Sequence, residues 1–393
     1  MNTSPHLTVD IDEFTLVLQP TDKIDCMHWH SQRDKMLEVF LKQSRLEAIF
    51  GKMASASKSL PQGYTDALTI ADRPFYLMIA WHDFIASIGI CVKCSAHAYS
   101  AYRQEYEKLY HEEINIVSFL NMVQNDMYVT RFSRIDLVAD YFNYPSPRNP
   151  SDYLNPNTIY ELLKKGSCVI KSIVVTEKGI EEKRSIRTFS AIEKNGVVET
   201  FYAGSRKANT RSFMRCYDKR LEQIQNKGTR YQEALACRSW TRFEAVYKNT
   251  YAHQLTAQLL QVTSNIELQQ LIARHITDKY RFYDVKSNEV TDFTSDLMAY
   301  ATACQSDALT SPSCRDNTLK QSIDYLKNNS GLFSTLYKVF TVWDSTAERK
   351  LLDHLYKVYK DSYKPDAHKN RDIISWKKRH LKELSKQQLE DSF

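Results

Sequence analysis

Three short segments of the chain place charged and hydroxyl side chains at alternate positions, which is the spacing of a β-strand. Alternation sends such side chains to one face of a sheet. If the three strands are neighbours, two carboxylates and one phenol converge among arginines and a lysine. The residues concerned are Arg134 and Asp136 in the first segment, Arg215, Tyr217 and Lys219 in the second, and Arg242 and Glu244 in the third.

These groups are the ones that phosphodiester transfer requires. We expect the carboxylates of Asp136 and Glu244, with Asp140 or another acid assisting, to hold one Mg²⁺ or Mn²⁺ ion, because both cations prefer oxygen ligands. The ion would draw charge from the scissile phosphate while cationic side chains stabilise the pentacovalent state. The alternative interpretation is that the charged residues form ordinary salt bridges at a sheet edge.

Tyr217 is the expected nucleophile. Arg215 and Lys219 lie on the same predicted strand face, and cations beside a phenol favour the phenolate by lowering the pKa from its usual value of about 10. We therefore assign Arg215 and Lys219 to the catalytic group. Tyr202 is the alternative nucleophile, because it precedes the same basic turn and could lie on the facing strand.

Basic residues are concentrated in the middle of the chain. The net charge is +6, and the segment from Thr200 to Thr250 holds eleven basic and four acidic residues. Such an excess is typical either of a solvated helix face or of a surface that binds phosphates. A second basic cluster, SWKKRHLKELSK, predicts a helix that either contacts duplex DNA or is a solvated terminal helix. The predicted DNA-binding residues are Arg134, Arg206, Lys207, Arg211, Arg242, Lys377, Lys378 and Arg379.

Other familiar sites are not indicated. The nine glycines are too widely spaced to form a glycine-rich phosphate loop, which argues against a nucleoside triphosphate or dinucleotide site. Cys91 and Cys94 form a CxxC string without a second ligand pair, so we interpret them as core residues. His28 and His30 match a metal-binding His-x-His string, but they lie at the start of a predicted helix rather than in a strand, which favours coincidence.

The order of the predicted elements favours an α+β fold. Residues up to about 255 mix strand-like runs with a few helices, and Asn195 with Gly196 predicts a hairpin turn. From about Tyr251 onward the apolar spacing is helical. We therefore expect a domain for the phosphodiester chemistry over 1–255, built on a central, mostly antiparallel sheet, followed by an all-helical accessory or DNA-binding region over 256–393.

The composition also suggests where the protein acts. The longest uninterrupted apolar run, Phe75 to Trp81, is far shorter than a membrane-spanning helix, and the N-terminus shows no charged-then-apolar leader. Eight cysteines scattered through a long chain are typical of reduced thiols that pack as small apolar residues. We therefore expect a cytoplasmic protein without a membrane partner.

The three segments also carry a resemblance to a known family. TRFSRIDLVADYF, TFYAGSRKANTRSFMRCYDKRLEQ and SWTRFEAVYK occur in the order and rough spacing of the Rep_trans family, the rolling-circle plasmid replication initiators related to relaxases of conjugative elements. The resemblance implies a metal-dependent nickase that stays joined to the 5′ phosphate through a tyrosine, here Tyr217. It also implies a homodimer and a helicase partner supplied by the host. In this family carboxylates take the place of the paired histidines of other nicking enzymes.

The predicted function is strand-specific nicking and rejoining of DNA at a replication origin, with the free 3′-OH priming synthesis. The expected partner is DNA, as origin duplex and as nicked single strand. One alternative is a relaxase of a conjugative or mobilisable element that uses the same chemistry. A non-catalytic DNA-binding regulator would not need Asp136, Tyr217 and Glu244 together, and an RNA-binding or structural protein would not need converging carboxylates.

Overall fold

The computed structural model describes residues 4–21, 26–56, 60–70, 75–175, 181–207, 210–302, 304, 307–310, 318–328, 330–362 and 371–386. The chain divides into two compact units, Met1–Ser311 and Pro312–Phe393. No helix in the described part of the chain is long and apolar enough to cross a membrane.

A ten-stranded sheet dominates the first unit, and all of its strand pairs are antiparallel. The strands of both sheets, in chain order, are β1 (His6–Pro20), β2 (Ala54–Ala56), β3 (Asp66–Thr69), β4 (Leu77–Trp81), β5 (Ile90–Cys94), β6 (Tyr128–Phe142), β7 (Cys168–Val175), β8 (Glu181–Ser185), β9 (Phe189–Lys194), β10 (Val197–Ala203), β11 (Ser212–Asp218), β12 (Trp240–Lys248) and β13 (Arg281–Asp284). The large sheet has the order β2-β3-β4-β5-β1-β6-β12-β11-β10-β9, and a small sheet has the order β13-β7-β8. The predicted α+β class with a central antiparallel sheet is confirmed.

Helices connect the strands and form the described part of the second unit. They are α1 (Cys26–Ser44), α2 (Leu46–Phe50), α3 (Ala96–Tyr110), α4 (Ile116–Met122), α5 (Pro156–Lys164), α6 (Lys219–Asn226), α7 (Tyr231–Ala236), α8 (Thr250–Leu259), α9 (Asn265–Lys279), α10 (Asp292–Tyr300), α11 (Leu319–Asn328), α12 (Leu332–Val342), α13 (Ser345–Ser362) and α14 (Arg371–Leu384), with a 3₁₀ helix over Ala86–Ile88. The apolar pattern predicts one helix where α3 and α4 lie. His111 ends α3 in the left-handed conformation, and the Asn115 side chain caps α4.

One face of the large sheet packs against helices and forms the core. On β6, Ile135 and Leu137 are completely buried, and α8 and α9 pack against this strand. Arg134, Asp136 and Asp140 alternate with them and so point to the opposite face. The strand therefore separates an apolar core from a polar face.

A β-bulge in β1 lies opposite Asp136. Asp12 and Glu13 together face this one residue of β6. The extra residue of a bulge redirects the side chains around it, and both acids lie on the polar face, where each forms an ion pair with an arginine. The flanking register pairs are Ile11 with Leu137 and Phe14 with Ile135.

The first three helices after β12, which are α8, α9 and α10, belong to the first unit. α9 packs against β1, β6 and β7, and α10 packs against α9. β13 pairs with β7, so the region over 256–393, expected to be all helical, contains a strand. The division between the compact units lies near residue 311 rather than near 255. Apolar periodicity marks a helix face that must be buried but does not identify the surface that buries it.

Buried His275 on α9 predicts an acid-sensitive stability. Its Nε2 lies 2.5 Å from Gln258 Oε1, and burial, with smaller effects of Arg274 and Lys279, lowers its pKa from 6.5 to about 3. Between pH 3 and pH 6.5 the unfolded state binds more protons than the folded state. The stabilisation by neutral His275 is therefore complete above pH 6.5 and is lost as the pH falls toward 3. Urea denaturation should show the advantage of the parent over His275→Gln falling by roughly 2 kcal/mol between pH 7 and pH 5. A constant difference would contradict this account.

Candidate active site

The three polar segments lie on adjacent strands. β6, β12 and β11 are consecutive in the large sheet. Arg215 faces Glu244 and Tyr217 faces Arg242 across the β11–β12 pair, and Arg242 faces Asp140 across the β12–β6 pair. Residues that face each other in an antiparallel pair share one face of the sheet. The strand residues of the predicted site therefore lie on a common face.

Two buried carboxylates form the centre of the candidate site. Asp136 and Glu244 are both 0% exposed. Arg134 binds both oxygens of Asp136, with distances of 2.9 Å from Nε to Oδ1 and 2.6 Å from Nη2 to Oδ2. Arg215 Nη2 lies 2.7 Å from Glu244 Oε2. Burial, and then the negative charge of Glu244, raises the pKa of Asp136 well above its usual range. Burial and Glu244 together therefore outweigh the lowering of this pKa by Arg134.

Glu13 is a third acid at this centre, and sequence analysis missed it. Its Oε1 lies 2.7 Å from Arg134 Nη1. Burial raises the pKa of Glu13, with Arg134 opposing the rise and Glu244 adding to it. Strict alternation would turn Glu13 toward the core, and only the β1 bulge places it here. The acidic run Asp10-Ile-Asp12-Glu13 was the available signal, but it does not reveal a bulge.

The residues present fit a divalent cation bound by oxygen ligands. Glu244 Oε1 is buried and has no hydrogen-bond partner among the described residues. Asp136 is completely buried, and the negative charge of Glu244 adds to the rise in its pKa that burial causes. Mg²⁺ and Mn²⁺ take carboxylate ligands and keep several waters. Within the described ranges no group of three or more His, Cys, Asp or Glu side chains is arranged to hold a metal ion, so the fit rests on two carboxylates.

Tyr217 contacts Glu244, but its pKa shifts in the direction opposite to the expectation. Its Oη donates to Glu244 Oε2 at 3.3 Å, and its ring centroid lies 5.1 Å from the Arg215 guanidinium and 5.7 Å from Lys219 Nζ. Burial is the largest effect and raises the pKa of Tyr217 well above 10; Glu244 adds to this, whereas Arg242 and Arg215 oppose it. The expected lowering by neighbouring cations is therefore wrong. With its pKa raised, the Tyr217 side chain is a phenol whose hydroxyl donates a hydrogen bond to the Glu244 carboxylate.

Tyr202, the alternative nucleophile, lies on the next strand. It faces Arg215 across the β10–β11 pair, and the Arg206 guanidinium lies 4.2 Å from its ring centroid. Tyr202 and Tyr217 line the same cavity of about 250 Å³. Both tyrosines therefore face one cavity, and the bond to Glu244 distinguishes Tyr217 from Tyr202.

Arg242 and Lys219 are buried. Arg242 is 2% exposed, its Nε and Nη2 each lie 2.7 Å from an oxygen of Asp140, and its Nη1 lies 2.5 Å from Asp12 Oδ1. Lys219 begins α6, and its Nζ lies 2.9 Å from Glu222 Oε2. Sequence analysis predicted that Arg242 contacts DNA, but its buried guanidinium forms ion pairs with the Asp12 and Asp140 carboxylates. Arg242 therefore holds the sheet face together.

Arg242→Met should lower the free energy of unfolding by about 3–5 kcal/mol, because it leaves the buried Asp140 and Asp12 carboxylates without their cation. Urea denaturation measures this loss. Arg206→Met is the matched control, since Arg206 is exposed and its loss should cost less than about 1 kcal/mol. Equal stability of the two variants would argue against the structural role of Arg242.

Several predicted DNA contacts are open to solvent. Arg206 and Lys207 are exposed in the turn between β10 and β11, and Arg211 follows this turn half-buried. Lys377 and Lys378 are exposed on α14. The side chain of Arg379 lies outside the described residues. Arg134, by contrast, is engaged by Glu13 and Asp136. The exposed turn adjoins Tyr202 through the stacked Arg206 side chain.

The CxxC and His-x-His strings are not assembled into metal sites. Cys91 and Cys94 are buried on β5 and belong to separate apolar clusters. Three residues apart in a strand, they point to opposite faces and cannot bind one ion. His28 and His30 lie on α1, where His30 Nδ1 is 3.2 Å from Arg33 Nη1. The interpretation of the cysteines as core residues is consistent with this burial.

Comparison with known proteins bears on the fold and the family. The structure is similar to a solved structure of a rolling circle replication initiator protein from Geobacillus stearothermophilus, with a TM-score of 0.50, 15% identity, and coverage of 77% of this chain and 100% of that chain. At this identity the likeness concerns the fold. No curated protein matches the chain in sequence. The family model described as replication initiation factor matches residues 130–354, more than half of the chain. The chain therefore belongs to the Rep_trans family of replication initiation factors.

Proposed function

We propose that this protein is a rolling-circle replication initiator, which nicks one DNA strand at an origin, stays joined to the 5′ phosphate through Tyr217, and later rejoins the strand. The observation that carries the proposal is the bond from Tyr217 Oη to Glu244 Oε2 within a buried cluster of carboxylates and arginines. Membership of a replication initiation factor family and the fold shared with a rolling circle initiator support it.

Each side chain has a role in the proposed reaction. Tyr217 gives its proton to Glu244 as its oxygen bonds to phosphorus; the bond from phosphorus to the 3′ oxygen breaks, and that oxygen takes a proton from solvent. The phosphotyrosine conserves the bond energy, so rejoining is the reverse reaction. Arg215 and Lys219, which flank the phenol ring, stabilise the charge on the phosphate oxygens. A Mg²⁺ or Mn²⁺ ion held by Asp136 and Glu244 would neutralise charge on the scissile phosphate.

The remaining assignments extend this proposal to DNA and protein partners. The exposed turn with Arg206 and Lys207 would guide the nicked strand toward the tyrosines, and Arg211 follows it. Lys377 and Lys378 on α14 would contact phosphates of the origin duplex. The homodimer and the host helicase stay predictions from the family resemblance.

Replacing Lys377 and Lys378 with alanine in the full chain should weaken origin-duplex binding and reduce the slope of log K against log salt by about 2, because each lysine would neutralise one phosphate. Fluorescence anisotropy at several salt concentrations measures this slope. The matched control replaces Lys52 and Lys286, two exposed lysines of the first unit outside the basic segment. If both double variants keep the parental slope, α14 does not bind phosphates.

The proposal is tested by incubating the protein with supercoiled DNA that carries its neighbouring intergenic region. Open circles should form with Mg²⁺ or Mn²⁺ and not with EDTA, because the proposed reaction needs the cation. A protein–DNA adduct should survive denaturing electrophoresis. DNA that stays supercoiled under all conditions, although the protein binds it, would favour a non-catalytic regulator.

A further inference from the structure

A large polar cavity adjoins the candidate active site. Its volume is about 590 Å³, and β1, β6, α3, α6 and α7 contribute to its walls. It shares Asp12, Asp140 and Arg242 with the buried ion pairs of the site. Val138, another lining residue, lies two positions along β6 from Asp136, a separation of roughly 7 Å at the usual strand rise. A DNA strand whose phosphate lies at the carboxylates would therefore pass the cavity mouth.

The charge of the cavity does not suit a phosphate. Its lining includes five carboxylates and four arginine or lysine side chains, so there is no excess of positive charge. Each of these four cations already has an acidic partner within 3.1 Å. Phosphate sites are marked by unpaired cations or by backbone N–H groups directed at the anion. The pairs are Arg103 with Asp10, Lys219 with Glu222, Arg230 with Asp140, and Arg242 with Asp12.

The lining instead offers hydrogen-bonding groups that have no partner among the described residues. Gln104 and Gln232 are exposed, and within the described part of the chain their carboxamides form no hydrogen bond, so both are available to a ligand. Asp12 Oδ2 is buried and has no partner among the described residues, which leaves an acceptor in the cavity wall. A carboxamide pairs bidentately with adenine and a carboxylate accepts from the amino group of cytosine. These groups complement the edge of an unpaired base.

We propose that this cavity binds one unpaired nucleobase of the DNA strand whose phosphate lies at Tyr217, with adenine and cytosine preferred over thymine. The inference rests on the proposed function, since it takes the nicked strand as the ligand. Gln104 and Gln232 read the amino-bearing edge of the base, and the paired charges around them fix the walls of the cavity. The cavity thereby supplies sequence preference next to the scissile phosphate.

The test measures binding of the full chain, in EDTA, to fluorescent single strands of about 12 nucleotides, a length within the known range of single-strand site sizes. The probes are oligo(dA), oligo(dC), oligo(dT) and an abasic strand of equal length. The parent should bind oligo(dA) and oligo(dC) about tenfold more tightly than the abasic strand. Gln104→Ala/Gln232→Ala should lose most of this preference while binding the abasic strand like the parent. Gln261→Ala, at an exposed glutamine outside the cavity, should keep the base preference of the parent.

Three outcomes would overturn the inference. A double variant with the parental preference shows that the cavity does not read the base, and so does a parent that binds all four probes equally. If the melting temperature of the double variant falls, Gln104→Ala and Gln232→Ala are measured separately instead. If both single variants keep the parental base preference, the cavity does not read the base. If the parent nicks supercoiled DNA but shows no base preference, only the cavity assignment fails. If it neither nicks nor binds a single strand, the proposed function fails as well.

Discussion

Tyr217→Phe should abolish nicking, with a loss of at least roughly 10⁴-fold, because no oxygen remains to form the covalent bond to the 5′ phosphate. The change removes one hydroxyl from a ring that is only 9% exposed. Without its bond to Glu244 the variant should be about 1 kcal/mol less stable, so it should still fold and bind DNA. The measurements are conversion of supercoiled to open circles with Mg²⁺ and the adduct that survives denaturing electrophoresis.

Tyr202→Phe is the matched control for this prediction. It also removes one hydroxyl, and Tyr202 lines the same cavity as Tyr217. Its ring would still stack with Arg206. Nicking and adduct formation should continue, because the proposed nucleophile Tyr217 is unchanged. Peptide mapping of the adduct identifies the attached residue directly. A nucleotide on the peptide that contains Tyr202 would overturn the assignment of Tyr217.

The polar face could be predicted from the sequence because strand alternation is a local property. Asp136, Tyr217 and Glu244 each lie in a strand-like segment in which residues two apart share a face, so the residues that accompany each of them on its face follow without any tertiary information. Their convergence required an additional condition, that β6, β12 and β11 are neighbours, and the sheet order satisfies it. The face is thus a local consequence of the sequence, whereas the site depends on strand order.

The features that sequence analysis missed depend on long-range pairing. The bulge that brings Glu13 to the site exists only because β1 pairs with β6, more than 100 residues away. Burial of Arg242 and Tyr217 likewise depends on which elements cover the sheet, and burial outweighs the nearby cations in setting the pKa of Tyr217. Charge patterns show which residues carry charge, but not which of them solvent reaches.

Glu244→Gln should reduce nicking by at least roughly 100-fold while duplex binding persists. The substitution keeps the shape of the side chain and removes its charge. It weakens the proposed cation site, in which Glu244 Oε1 has no hydrogen-bond partner among the described residues, and it removes the proposed proton acceptor of Tyr217. Calorimetric titration with Mg²⁺ or Mn²⁺ should show weaker binding than in the parent, and excess metal should restore nicking only in part.

The two roles of Glu244 separate in this experiment. Loss of the ligand alone would be compensated by excess metal, because more cation refills a weakened site. Excess metal would not compensate for loss of the proton acceptor, since the phenol of Tyr217 has a pKa raised by burial and needs a base to attack. Asp136→Asn is the comparison, because Asp136 is equally buried and has no hydrogen bond from Tyr217 within the described part of the chain. Excess metal should therefore restore nicking more completely in Asp136→Asn than in Glu244→Gln, and identical metal affinities of the parent and Glu244→Gln would remove Glu244 from the cation site.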